Sequence, residues 1–357
     1  MWSGSSRTSF RTPDRTLTGA VVVGIDVGGT KTNATVLDES GTFLVDRMVE
    51  TPSRVVEGPD AALAAIALAM ELALTAGGVG PEAVLAVGLD TPGPASATGV
   101  ISSKGANNFP QPPWWGFDVR TAAETRLGRP VIYNNDGNAA ALYAHQHLFG
   151  AEGARRSSVS AIVGTGLGGG VVEQGEIVRG SAGMAGEFGH VHIPMDGLLE
   201  PDQPLPRCNC GFAGDLESVA SLSGIERNLL PYWLSRYPDH PLAAAAEASM
   251  AEAAKAVRGY AESDDEMALR IFAQQAEAIG RLFTIASNFT DPDAYLVGGG
   301  VVESSPQFRD WFLDRVRAAT TLREEQRALA RFAVVADLDM AGARGSAVAA
   351  LRAIRPV

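Results

Sequence analysis

Cysteine is nearly absent from this chain: there are two in 357 residues, Cys208 and Cys210. One residue separates them, a poor spacing for an intramolecular disulfide, so the fold must rest on its core. The same scarcity fits a reducing compartment, and a cytoplasmic protein is expected. Basic charge is also in deficit. Lys and Arg number 29 against 41 Asp and Glu, a formal charge of −12. That balance disfavours general binding to nucleic acid or to an anionic membrane. It leaves room for a nucleotide, whose charge is met locally by backbone amides and a metal ion. No apolar run reads as long enough to cross a bilayer. The Ala/Leu-rich stretch 61–76 is interrupted by Glu71 and reads as a buried helix. Residues 1–18 are polar, lack the apolar core of a signal peptide, and read as a disordered tail. No Gly-Lys-Ser/Thr closes a Walker A loop, and no helix follows the glycine-rich turns as a Rossmann unit requires.

What the chain does have is glycine, 40 residues of it, concentrated in two hairpins. The first runs Val21-Val22-Val23-Gly24-Ile25-Asp26-Val27-Gly28-Gly29-Thr30-Lys31. The second runs from Ser160 through Gly164-Thr165-Gly166-Leu167-Gly168-Gly169-Gly170 to Val172. Glycine lets main-chain N–H groups approach an anion closely. Either hairpin alone is compatible with a plain β-turn. Two of them facing one cleft would hold a polyphosphate from both sides.

Around the hairpins the pattern reads as strands Val21–Val27, Thr32–Leu37 and Phe43–Glu50, a helix over 59–76, and a strand Ala83–Leu89. A long surface loop follows at 102–117. Then come a helix Arg120–Leu127, a strand Pro130–Asn134 and a helix Asn138–Phe149. The second hairpin spans 159–178, and residues 180–217 show little periodicity. Helices dominate 218–289. A strand Tyr295–Val297 enters Gly298-Gly299-Gly300, with a helix at 306–319, a strand at 332–336 and a helix Gly345–Ala353 beyond. Strand-turn-strand followed by helix and strand occurs twice, which points to two α/β domains with a ligand cleft between them.

Asp136 stands at the end of a strand and before a helix, where open α/β sheets place their chemistry. Read locally, it fits equally well as a helix N-cap. Asn135 and Asn138 flank it. Further on, Gly186-Glu187-Phe188-Gly189-His190 and His192 set an acid and two imidazoles among glycines. Cys208-Asn209-Cys210-Gly211 and Gly214-Asp215-Leu216-Glu217 follow, and thiolates with a histidine suggest structural zinc, although two free thiols would read the same way.

Taken together these residues resemble the ROK family, named for repressors, open reading frames and sugar kinases, over residues 20–353. The resemblance implies two ribonuclease-H-like α/β domains of the actin/hexokinase type. The smaller would comprise 19–134 plus 345–357 and the larger 135–344. It also implies ATP-dependent phosphorylation of a hexose, with glucose preferred and fructose, mannose or an N-acetylhexosamine as alternatives. Asp26, Gly28, Gly29, Thr30 and Lys31 would form the first phosphate loop, with Asp26 holding Mg²⁺ directly or through water. Gly164, Thr165 and Gly166 would form the second, and Gly298, Gly299 and Gly300 would lie beside the base. Asp136 would be the general base. Asn108, Asn135, Glu187, His190 and Glu217 would bind the sugar.

Two departures stand out. Gly137 replaces the Ala or other small residue usual after the aspartate. Asp215 replaces the third cysteine of the zinc loop, leaving His190, Cys208, Cys210 and Asp215 as the expected zinc set and His192 as a substitute. A sugar-responsive repressor would carry a winged helix ahead of Val21, for which the segment before it reads as too short. An actin-like ATPase would have no use for the Glu187–Glu217 cluster. A polyphosphate donor would call for a basic groove. A homodimer or homotetramer is expected.

Overall fold

The computed structural model describes residues 19–93, 95–104, 108–335 and 337–355. The expected tail at 1–18 and the segment Ala106-Asn107 lie outside them. Two five-stranded sheets organise the chain. The first contains β1 (Val21–Val27), β2 (Lys31–Asp38), β3 (Val49–Pro52), β4 (Val84–Thr91) and β5 (Val131–Asn135), in the order β3-β2-β1-β4-β5. The second contains β6 (Ser158–Val163), β7 (Leu167–Glu173), β8 (Glu176–Ile177), β9 (Ala294–Gly299) and β10 (Arg331–Val334), in the order β10-β9-β6-β7-β8. Reversing the second order gives the first. In both, the leading hairpin is antiparallel (β1–β2, β6–β7) and the later strands add in parallel (β1–β4–β5, β6–β9–β10). The duplication expected from the sequence is therefore present strand by strand.

Each sheet has its own core. Val21, Val23, Ile25, Val36, Val87 and Leu89 bury against α1 (Pro59–Gly77) and its neighbours. Val159, Ala161, Ile279, Phe283 and Tyr295 belong to the second core, beneath the long helix Glu266–Thr290. A third cluster, with Val22, Ala86, Leu142, Val172, Ala347 and Ala350, joins the two halves. It is carried by α3 (Asp136–Phe149), which follows α2 (Val119–Leu127), and by the last helix, Leu338–Ile354. That helix returns to the first sheet and lies against β1 and β4. A Cβ at Gly24 would collide with the Ala343 carbonyl, and one at Gly88 with that of Ser346. Only the missing side chains let the helix lie so close.

Several elements differ from expectation. The strand expected at Phe43–Glu50 shrinks to Val49–Pro52, with Phe43 making one bridge to Leu37. The last helix starts at Leu338, seven positions before Gly345, and runs through 344–345 without a break. The 102–117 loop contains a short turn, Pro112–Trp114, whose Trp114 ring is buried and donates to the Val55 carbonyl at 2.9 Å. The helix over 59–76 is buried on one face only, for Leu68 and Leu72 are exposed. Its 19 residues and mean hydropathy of 1.5 are enough to cross an apolar layer. The buried face against the sheet accounts for that apolarity.

Candidate active site

Three aspartates stand at the carboxyl ends of three adjacent parallel strands. Asp26 is the last residue but one of β1 and pairs in register with Asp90 of β4, while Thr91 pairs with Asn135, the residue before Asp136. Asp136 does not cap α3. Asn135 does, its Oδ1 accepting from Gly137 N at 2.9 Å and from Asn138 N at 3.4 Å. The helix therefore begins two residues earlier than expected, and the cap function is already filled. Asp136 accepts only from the Gly137 amide, at 2.7 Å, among the described residues. Its side chain opens to solvent in the cleft floor. The density of protein around it, with the charges of Asp26 and Glu187, raises its carboxyl to about 7 against the pull of the Gly137 amide. Water does reach it, so crowding and like charge set the rise, and complete enclosure does not.

Gly137 has a steric reason. A Cβ there would lie 2.9 Å from both Gly169 N and Gly169 O. The start of α3 is thus pressed onto the second hairpin, and Asp136 reaches the border between the two halves.

The first glycine loop is closed by Gly28 N donating to Lys31 O at 2.8 Å. A Cβ on Gly29 would sit 2.7 Å from Asn108 Oδ1, so Asn108 overhangs this loop. Lys31 turns to the strand side and pairs with Glu50 at 2.8 Å. The second loop is closed by Gly164 N to Gly166 O at 2.9 Å. It is tied to the segment after Glu217 through Leu222 N to Gly164 O and Ser223 N to Thr165 O, each 3.0 Å. Gly299 pairs with Val163 in register and has φ +94°, which places Gly298–Gly300 beside the second loop.

The acids and imidazole of the Glu187–Glu217 segment gather at the same cleft. A Cβ on Gly93 would lie 3.2 Å from Asn135 Nδ2 and 3.9 Å from Glu187 Oε1. Burial raises the Glu187 carboxyl, with His190 opposing and Glu217 adding to the rise. Glu217 is partly engaged already. Its Oε2 accepts from Leu167 N at 2.9 Å, and its Oε1 lies 3.3 Å from Cys208 Sγ.

Beside it, the ligand atoms of His190, Cys208, Cys210 and Asp215 all lie within 4.8 Å of one another. His190 Nδ1 is 3.2 Å from Asp215 Oδ2, and Cys210 Sγ is 3.6 Å from that oxygen. Tetrahedral zinc bonds of about 2.0–2.3 Å would put ligands roughly 3.3–3.8 Å apart. Asp215 is wholly buried, and only its Oδ1 accepts a backbone amide, from Ser218 at 3.1 Å. A buried carboxylate oxygen facing two thiols and an imidazole suits a cation. Burial pushes the Cys208 thiol up, and a bound metal would reverse that. His192 is outside the cluster, its ring against Phe212 at 5.3 Å.

Asp90 was not singled out from the sequence. It is fully buried, and Ser346 donates its hydroxyl to Oδ2 at 2.7 Å. Burial first, and then the Asp26 charge, push it well above the usual carboxylate range. Asp26 beside it is also raised by burial, against the pull of Asp90 and of Asn33, whose Nδ2 donates to Asp26 Oδ2 at 3.3 Å. The signal was available: a carboxylate closing the apolar run Val84–Leu89 requires a partner inside the protein. Arg179 was also missed. It donates to Asn134 Oδ1 at 3.0 Å and ties the second half to β5 beside the cleft.

The model of the ROK family matches residues 22–353. The glucokinase of Streptomyces coelicolor is 31% identical over 305 residues, 83% of this chain and 86% of that protein. The N-acetylmannosamine kinase of Citrobacter koseri is also 31% identical, over 279 residues, 78% of this chain and 82% of that protein. A crystal structure of a ROK family glucokinase from Streptomyces griseus in complex with glucose and AMPPNP superposes with a TM-score of 0.67 at 27% identity. It covers 93% of this chain and 99% of that one.

Proposed function

The chain belongs to the ROK family, and from that premise we propose that it transfers the γ-phosphoryl group of ATP to a hexose, glucose foremost. One observation carries the reading. Asp136, raised to about 7, stands where the first sheet meets the second glycine hairpin and faces Glu187. Phosphoryl transfer needs mainly positioning and charge neutralisation, with a base to take the hydroxyl proton. The attacking hydroxyl gives its proton to an Asp136 Oδ atom as its oxygen bonds to phosphorus and ADP leaves. In the loops Gly28–Thr30 and Gly164–Gly166 the amides of Gly28 and Gly164 close the turns, and those of the residues after them cradle the phosphates, beside Gly298–Gly300. Lys31, paired to Glu50, serves the loop's edge.

Asp26 would hold Mg²⁺, which when bound offsets the phosphate charge. Asn33 helps fix the orientation of that carboxylate, with Asp90 at its side. Asn108, Glu187, His190 and Glu217 supply hydrogen-bond partners for hydroxyls, and a sugar lacking one leaves a buried acceptor unpaired. Asn135 has only its Nδ2 to offer, because its oxygen caps α3. Zinc on His190, Cys208, Cys210 and Asp215 would be structural and would fix His190 and Glu217 in place. We also propose a cytoplasmic homodimer or homotetramer.

The glucokinase of Streptomyces coelicolor and the N-acetylmannosamine kinase of Citrobacter koseri are both 31% identical to this chain, the first over the longer stretch, so an N-acetylhexosamine is the second reading. The test is ADP release from ATP and Mg²⁺ against a panel of hexoses and N-acetylhexosamines. Glucose should give the highest kcat/KM. A panel with no sugar-dependent ADP release would sink the proposal.

A further inference from the structure

A cavity of about 810 Å³ opens on the side of the molecule away from the catalytic cleft. Its position follows from the strand and helix directions. Leu37 pairs with Val22 at the opposite end of β1 from Asp26. Glu173 ends β7, which Leu167 begins at the second glycine loop. Gln146 lies ten residues beyond Asp136 on α3, about 15 Å along the helix at about 1.5 Å per residue. Arg352 is ten residues beyond Gly342, whose added Cβ would meet Asp26 Cγ at 2.8 Å. All four elements therefore present their far ends to the cavity. Both halves of the molecule line it: Ser40 and Phe43 from the first, Glu173 and Glu176 from the second, with α3 and the last helix between them.

Arg352 is the unusual group. Its Nη2 donates to Gln146 Oε1 at 2.9 Å. Its Nη1 is buried and has no partner among the described residues. A guanidinium held this way lacks an acceptor, and because that nitrogen is sealed from solvent the side chain must turn toward the cavity to meet one. Glu176 acts on it at a distance, and among the described residues no ion pair joins the two. Arg355 stands exposed at the mouth. Glu173 and Glu176 are exposed as well and have no side-chain partner among the described residues, which leaves their oxygens free to accept hydroxyls. The ends of α3 and of the last helix bring negative partial charge to the same place, which works against an anion and leaves the two guanidinia as the attractive charges for one.

We propose that this cavity binds a phosphorylated hexose, with Arg352 and Arg355 holding the phosphate and Glu173 and Glu176 the hydroxyls. Its volume suits a small-molecule pocket, and a planar guanidinium meets phosphate in a bidentate way. The hexose part rests on the kinase reading above, whose product is a phosphorylated hexose; the anion part does not. A ligand touching both halves would be linked to any opening and closing of the cleft.

The test is calorimetry on the full chain, with glucose and a non-hydrolysable ATP analogue saturating the cleft. Glucose 6-phosphate is the titrant, and inorganic phosphate is titrated in a parallel arm. Saturable binding of glucose 6-phosphate is expected, weakened about tenfold or more in both Arg352→Met and Arg355→Ala. Turnover of either variant without added product should be unchanged. Should Arg352→Met fail to fold, the exposed Arg355 carries the comparison alone. A heat-silent wild type, or variants that bind as it does, overturns the site. Binding of phosphate without glucose 6-phosphate overturns the hexose assignment. Sugar-dependent turnover, measured on the same samples, reports on the kinase reading separately.

Discussion

At the scale of single residues, the proposed reaction would ask two opposed things of Asp136. As a base it must be ionised, so kcat/KM of the free protein should rise with pH through about 7 and level off above it. Bound Mg²⁺ would pull the corresponding limb of kcat to lower pH, while the anionic phosphates of the nucleotide would push it the other way. Asp136→Asn should keep sugar binding and lower kcat by roughly 10²–10⁴-fold. The raised carboxyl also costs stability. Its folded value lies above the unfolded one, so its contribution favours the fold at low pH and is lost as pH rises through about 7.

His145 works with the other sign. It is buried between Ser158 Oγ and Gly153 O, each at 2.8 Å, and burial lowers its value below the usual 6.5. The unfolded chain takes up that proton first, so stability falls as pH drops through 6.5. The two effects oppose each other between pH 7 and 5. Asp136→Asn should therefore raise Tm at pH 8 and make Tm fall more steeply toward pH 5 than in the wild type, which thermal melts would show. A variant with wild-type turnover and wild-type melting would leave Asp136 without either role. Asp136 was legible as a candidate from its place after a strand. That Asn135 already supplies the cap was not, because both residue types cap well and only the backbone decides between them.

At the scale of elements, the segment from His190 to Glu217 is the least regular. Its described residues make only isolated bridges, His192 with Asp215 and Arg207 with Ala213. The sequence showed this as a loss of periodicity, and the Cys-x-Cys spacing named the residues that gather there. It could not show that Asp215 is wholly buried, since burial is set by the fold around it. A carboxylate is a harder ligand than a thiolate, so zinc should leave more readily than from a three-cysteine site. Asp215→Cys should slow loss of zinc to a chelator, and Asp215→Ala should speed it. Chelation should abolish sugar binding while leaving nucleotide binding mostly intact. Full sugar affinity in metal-free protein would show that other contacts order the segment. The shortened β3 has a similar lesson. Residues 43–48 are apolar enough to suggest a strand, but β2 offers them only the Leu37–Phe43 bridge before pairing resumes at Val49.

At the scale of the whole molecule, the duplicated sheet order was legible as a repeated string of strands and turns. How the halves meet was not. That depends on helices crossing where glycine leaves room, as at Gly345, where a Cβ would strike the Ala139 carbonyl of α3. No periodicity encodes such an approach. A cleft with a base on one side and a glycine loop on the other should close on sugar to exclude water. Small-angle scattering should give a smaller radius of gyration with saturating glucose than without. An unchanged curve would mean a cleft already closed.

The last helix has a bearing on how the protein is made. The first sheet is complete in its strands once Asn135 has been synthesised, yet the helix that lies on β1 and β4 spans Leu338–Ile354. At about 5–20 residues per second, some 200 intervening residues take roughly 10–40 s to emerge. For that interval Val22, Ala86 and the flat faces of Gly24 and Gly88 have no cover. The half that is translated first is thus finished last, and a nascent chain stalled before Leu338 should be held by chaperones or cut by proteases, however well its strands have paired.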